Sequence, residues 1–194
     1  APGNFEVHAP LMPHDAEEPD GVGYMTGAVG HGSGLLYQIT GYEPALELSR
    51  GLAHWAMARI FKNSDGHYDH GHFHHGLYSL IALCQYGLAA NDREALERVD
   101  ACYRWAREMG DPMIGFYGEM MPGTPAYLSR RGNSVEICEV ADMVVLALWL
   151  TRAGIGDYWD DVDRWVRNMY SEGQVRTADF LDDIPDSYFV TDLA

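Results

Sequence analysis

Asn91-Asp92-Arg93-Glu94-Ala95-Leu96-Glu97-Arg98, running on to Trp105, repeats the pattern of Gly41-Tyr42-Glu43-Pro44-Ala45-Leu46-Glu47-Leu48, running on to Trp55. In both stretches a turn-forming residue leads into an Ala-Leu-Glu helix start, and the tryptophan falls in the same register. A looser third copy begins at Gly156-Asp157-Tyr158-Trp159 and carries Val162, Trp165, Val166 and Met169 at helical spacing. A period of roughly fifty residues marks stacked units, none of which can bury its apolar face alone.

Each copy reads as the second helix of a pair. The first helices differ in character: Leu77, Leu80, Ile81, Cys84 and Leu88 recur at helical spacing, Val140 to Leu150 is apolar nearly all round, and Gly23 to Thr40 is rich in Gly, Ala and Leu. Such segments are expected to be buried on most sides. Short breaks at Gly41, Ala90-Asn91 and Gly154-Ile155-Gly156 would join each inner helix, at 23–40, 73–90 and 134–154, to an outer partner. The expected fold is all-α, with three αα hairpins in series forming one domain over residues 1–194. Residues 1–20, with Pro2, Pro10, Pro13 and Pro19, read as an extended arm, and 172–194, with Asp182, Asp183, Pro185 and Asp186, as an extended tail. Three hairpins make an incomplete ring, completed either by a larger parent chain or by association of copies into a homo-oligomer.

Composition narrows the partners. The 194 residues are 47% hydrophobic and 12% aromatic, enough for a sizeable core. Thirteen Lys and Arg against 29 Asp and Glu leave a net charge of −16, which repels phosphate backbones and anionic lipid and weighs against nucleic acid and membrane partners. No apolar run reaches the length needed to span a bilayer. Cys84, Cys102 and Cys138 are too few for a disulfide framework, and the first two fall at apolar helix positions as expected core thiols.

The connections between hairpins hold the unusual residues. The stretch 61–72 contains His67, His70 and His72, with His74 and His75 just beyond, and 110–133 contains Tyr117, Glu119 and Tyr127 among glycines and prolines. Loops this long inside a compact domain are usually functional or disordered. In a hairpin array every such loop returns the chain to the start of an inner helix, which places Asp20 to Tyr24, His67 to His75 and Glu119 to Glu139 on one rim.

At that rim Gly132-Asn133-Ser134-Val135-Glu136-Ile137-Cys138-Glu139 puts two carboxylates and a thiol at the start of an apolar helix. Ser134 can cap the helix, whose N-terminal field favours carboxylate and thiolate. Acidic residues in a first turn are also ordinary helix-start chemistry. The histidines match no specific zinc spacing and stay open as helix caps, ring stacks or substrate contacts. Glu119 in its aromatic loop and Glu136 are a candidate carboxyl pair for glycosidic bond cleavage, which needs a proton donor and a base or nucleophile across the bond. Tyr24, Phe73, Tyr117 and Tyr127 are candidate platforms for a sugar ring, or simply core.

The run Glu136-Ile137-Cys138-Glu139, followed by an apolar helix, the break Gly154-Ile155-Gly156-Asp157 and Val162-Asp163-Arg164-Trp165-Val166-Arg167-Asn168, resembles the zinc-dependent β-L-arabinofuranosidase-like glycoside hydrolases. The resemblance covers about residues 115–175. It implies an (α/α)6 toroid, zinc as cofactor held in part by Glu136 and Cys138, and Glu119 as acid/base. The family pattern continues to an adjacent pair of cysteines, and no cysteine follows Cys138 here.

The expectation is a carbohydrate-active glycoside hydrolase. Glu119 and Glu136 would be catalytic, His72, His74, Tyr117 and Tyr24 would contact substrate, and Cys138 and Glu136 are candidate metal ligands, with no cofactor as the alternative. A polysaccharide lyase using His72 or His74 with Tyr117, and a non-catalytic glycan-binding or assembly module, are the competing readings.

Overall fold

The computed structural model describes residues 20–68, 71–122, 136–174, 176, 177 and 179, with the backbone alone for 20–26. Six α-helices and no strand occur among them: α1 (Asp20–Thr40), α2 (Glu43–Arg59), α3 (Phe73–Ala90), α4 (Arg93–Arg107), α5 (Ile137–Arg152) and α6 (Trp159–Trp165), the last continued by a π-helical turn, Val166–Tyr170. The expected arm and tail lie outside the described residues, apart from the start of α1 and a few residues after Glu172.

The hairpin turns follow from local chemistry. Gly41 and Asn91, directly after α1 and α3, and Gly154, just past the Ala153 cap of α5, each adopt a left-handed conformation, with φ of 69°, 53° and 69°. That conformation lets the next backbone N–H turn back onto the helix, as in Asp92 N to Gly87 O (2.9 Å) and Ile155 N to Leu150 O (3.1 Å). The outer helices then restart on their own signals. The Asp92 carboxylate caps α4 by accepting from the Ala95 N–H at 3.0 Å, and Pro44 opens α2 where its missing N–H costs nothing.

Inner and outer helices differ in burial. On α4 the buried residues Ala95, Leu96, Val99, Cys102, Tyr103 and Ala106 form one face, whereas α3 is buried without a break from Ser79 to Gly87. Helix α3 is the centre of the array and contacts α1, α2, α4 and α5. Its contact with α1 is close because α1 offers no side chains there: a Cβ on Gly27 would lie 2.8 Å from the Tyr78 backbone, and one on Gly30 would lie 3.0 Å from the Ala82 Cβ.

Two details differ from the sequence-based expectation. Helix α1 is covered on one face only and exposes Val29, Leu35, Leu36 and Ile39, the last at 74%, because it forms the edge of the described array. Helix α5 starts at Ile137 with Glu136 in the N-cap position, so the expected start at 134 and the proposed Ser134 cap lie outside the described residues. No described helix is long and apolar enough to cross a membrane.

Tertiary polar contacts fix α4 against α6. Arg107 grips both oxygens of Asp161 (Nε to Oδ2 2.8 Å, Nη2 to Oδ1 3.0 Å), and the buried Tyr103 hydroxyl donates to Asp161 Oδ2 at 2.9 Å. Trp165, fully buried, donates its indole N–H to the Pro112 carbonyl at 2.8 Å. Gly115, with φ of 78°, leaves room for that indole, since a Cβ there would lie 2.7 Å from the ring. The third tryptophan of the repeat therefore anchors the loop that leads to Glu119.

Candidate functional site

Two backbone hydrogen bonds bring the loops together. Phe73 N–H donates to the Glu119 carbonyl at 2.8 Å and Met121 N–H to the Gly71 carbonyl at 3.0 Å, forming a short antiparallel bridge between His72 and Met120. The bridge sets the start of α3 beside the end of the 110–121 loop. The N-terminus of α5 closes the third side.

His72 is the meeting point. Its Nε2 lies 3.9 Å from Glu119 Oε1 and 3.5 Å from Glu136 Oε2, and donor atoms of the three residues all fall within 4.8 Å of one another. The ring stacks on His75 with centroids 4.2 Å apart and planes at 12°. The two carboxylates differ in setting: the Glu119 side chain is 10% exposed and the Glu136 side chain 46%. One is enclosed and the other faces solvent.

A second group shares Glu136. The Cys138 thiol lies 3.5 Å from Glu136 Oε2 and 3.7 Å from Glu139 Oε2, and these three residues also offer donor atoms within 4.8 Å of one another. Glu139 is completely buried, and its Oε1 has no hydrogen-bond partner. Burial, with Glu136 adding to it, raises the Glu139 carboxyl to about 7. Burial likewise raises the Cys138 thiol, reinforced by the carboxylates of Glu139 and Glu136.

One turn further along α5, Asp142 accepts from or shares a proton with His74 Nδ1 at 2.6 Å. That hydrogen bond raises the His74 pKa above the ordinary imidazole value, against the opposing effect of burial. His74 also stacks on Tyr78, with centroids 5.6 Å apart. His31 meets the Tyr78 ring edge to face, with centroids 6.0 Å apart, and burial pushes it the opposite way, to a lowered pKa. Sequence reasoning missed Asp142. Its one signal was a lone carboxylate inside an otherwise apolar helix, a setting in which an unpaired charge is costly.

Of the residues expected at the site, the structure brings His72, Glu119, Glu136 and Cys138 together, with the His74 ring 6.2 Å from that of His72. It does not bring Tyr117. That ring is fully buried between Phe73 (5.7 Å) and Trp165 (5.4 Å), and its hydroxyl meets the Arg107 carbonyl at 3.5 Å. Phe73 is buried beside it. His67 stacks on Trp105 instead, at 4.9 Å. The Tyr24 side chain, His70 and Tyr127 lie outside the described residues. Cys84 and Cys102 are buried in the core, where burial pushes both thiols up to about 12.

Comparison with protein families, curated proteins and solved structures finds no match to the chain.

Proposed function

We propose that this chain is a carbohydrate-active hydrolase that cleaves glycosidic bonds at the rim where α3, the 110–121 loop and α5 meet. The observation that carries the reading is the convergence of Glu119 and Glu136 on His72 from distant parts of the chain, at 3.9 Å and 3.5 Å. Glycosidic cleavage needs two carboxyl groups in unlike surroundings, and one here is enclosed while the other is open. Glu119 gives its proton to the departing glycosidic oxygen. Glu136, on the opposite face, bonds to the anomeric carbon as the glycosidic bond breaks, and water then displaces it, giving a proton back to Glu119. His72, held in plane by His75, donates to a sugar hydroxyl between them, and His74 extends the polar edge.

A net charge of −16 suits a neutral sugar better than a polyuronate. The lyase reading also loses its tyrosine, since Tyr117 is buried with its hydroxyl on a backbone carbonyl. We infer further that the array continues into a toroid, because the exposed Val29, Leu36 and Ile39 of α1 and Trp159 and Val166 at the other end are apolar edges of the kind that another hairpin covers. The test of the hydrolytic reading is turnover of aryl glycosides by the wild-type chain and by Glu119→Gln. Loss of a general acid costs about a hundredfold or more, and equal rates would exclude Glu119 from that role.

A further inference from the structure

Asp142 lies on α5 among the buried Val140, Met143 and Leu146, with only 13% of its side chain exposed. A carboxylate in such a place is costly unless it is paired, and its partner is His74 Nδ1 at 2.6 Å. A nitrogen–oxygen separation this short belongs to a charge-assisted pair, imidazolium with carboxylate. His74 stands in the first turn of α3, where both burial and the N-terminal field of the helix disfavour a cation. Asp142 offsets both. The Tyr78 ring stacks on the imidazole, with centroids 5.6 Å apart and planes at 17°, which sets the ring plane and favours a cation over its face.

We propose that Asp142 is a positioning residue of the rim site: with Tyr78 it holds His74 as a fixed imidazolium, whose Nε2–H serves a hydroxyl oxygen of the bound sugar. The proposal rests on the hydrolase reading for the ligand, not for the pairing itself. With Nδ1 bonded to Asp142, Nε2 is the ring nitrogen through which His74 acts on the cleft, and the side chain reaches its surface, 22% exposed. The His72 ring lies 6.2 Å away, so the two imidazoles can address hydroxyls of one sugar unit. Glu119 and Glu136 act at the glycosidic bond, and His74 reads which sugar is there. A donor fixed in this way rejects an analogue that lacks the hydroxyl, because the donor is then left without its acceptor.

The titratable groups around the pair come from several parts of the fold. Glu139 and Glu136 at the start of α5 add to the effect of Asp142 on His74, and His72 and His75 flank the ring at the start of α3. His31 of α1 acts on Asp142, which in turn acts on the buried Tyr68 hydroxyl. Burial raises the Asp142 carboxyl, and the hydrogen bond from His74 opposes that rise. Each half of the pair thus keeps the other charged.

The first measurement uses the full chain, labelled with nitrogen-15 at histidine and treated with a chelator, beside Asp142→Asn, which keeps the shape of the side chain. In the wild type the His74 signals should report protons on both ring nitrogens at pH of about 6.5, where an ordinary imidazole is half deprotonated. The Nδ1 proton should be strongly deshielded. In Asp142→Asn that deshielding should be lost, and the ring should titrate at lower pH. A His74 ring that titrates alike in both proteins would overturn the proposal.

The second measurement is kcat/KM on the nitrophenyl glycoside that the wild type turns over fastest and on its monodeoxy derivatives. One derivative should fall by about tenfold or more in the wild type, the scale of a hydrogen bond to a charged group, and by much less in Asp142→Asn. Adding Asp142→Asn to His74→Gln should cost nothing further, because Asp142 acts through that ring. A set of deoxy penalties that Asp142→Asn leaves unchanged, or a double variant worse than His74→Gln, contradicts the proposal. No turnover of any aryl glycoside by the wild type would sink the hydrolase reading and the sugar ligand with it, while the nitrogen signals still decide whether Asp142 places the ring.

Discussion

The backbone N–H of Phe73 donates to the carbonyl oxygen of Glu119 at 2.8 Å, so the first residue of α3 fixes the height at which the Glu119 carboxyl stands beside His72. The loop carrying Glu119 is held from its other side by the indole of Trp165, through Pro112 and the close approach at Gly115. Site geometry therefore depends on packing well away from the chemistry.

Gly115 tests that dependence. Its φ of 78° is strained for any side chain, and a Cβ would lie 2.7 Å from Trp165. We predict that Gly115→Ala lowers unfolding stability by at least about 1 kcal/mol, more than the gain expected from reduced unfolded-state entropy. It should also weaken whatever activity depends on Glu119. Urea unfolding measures the first effect, and an unchanged midpoint would mean that the loop is not anchored this way.

Asp161 tests the link between α4 and α6. It receives three donors, two from Arg107 and one from Tyr103, and the pair raises the Arg107 pKa. Asp161→Ala leaves a partly buried guanidinium and a buried phenol without their acceptor. The expected cost is about 3 kcal/mol, the scale for breaking a buried ion pair by removing one partner. A loss below about 0.5 kcal/mol would show that Arg107 reaches solvent at little cost.

The cysteines should separate by reagent. Cys84 and Cys102 are buried with thiols pushed up to about 12, so little thiolate exists at neutral pH. We predict that the native chain exposes at most one thiol to an aromatic disulfide reagent, the partly exposed Cys138, and that it reacts slowly because burial and the Glu139 and Glu136 carboxylates raise its pKa as well. All three should react after unfolding. Rapid reaction of two or more native thiols would contradict the core placement.

Two histidines around Asp142 should titrate in opposite directions. In chelator-treated protein, nitrogen chemical shifts should place His74 above and His31 below the ordinary imidazole value of about 6.5. The signs carry to stability. The His74–Asp142 bond supports the fold fully below pH of about 6.5 and fades as pH rises through the raised His74 value, whereas burial of His31 opposes the fold in acid and ceases to matter above about 6.5. His74→Gln should therefore flatten the loss of stability on the alkaline side. Identical titration of the two rings would remove Asp142 as the discriminating group.

Much of the fold was legible because its signals are local. Gly41, Asn91 and Gly154 mark the hairpin turns by backbone conformation alone, and the tryptophan register marks the outer helices. Inner helix α1 was read as buried on most sides because glycine and leucine content does not say which face has a neighbour. At the site, Glu136 and Cys138 stood out as helix-start chemistry, and loop topology put Glu119 on the same rim. Glu139 resembles an ordinary first-turn acid, since the burial of its carboxyl is a tertiary property. The pairing of Asp142 with His74 spans two helices that sequence spacing does not relate, and Tyr117 looked like a loop aromatic until Trp165 folded its loop into the core.

The role of Glu119 as proton donor in glycosidic cleavage is read from the leaving-group dependence of Glu119→Gln. Steady-state turnover should be compared for a poor phenolic leaving group and for dinitrophenol, which needs no protonation. If Glu119 is the proton donor, turnover falls by about a hundredfold or more for the poor leaving group and by much less for the activated one. Equal losses for both, or none for either, would contradict it.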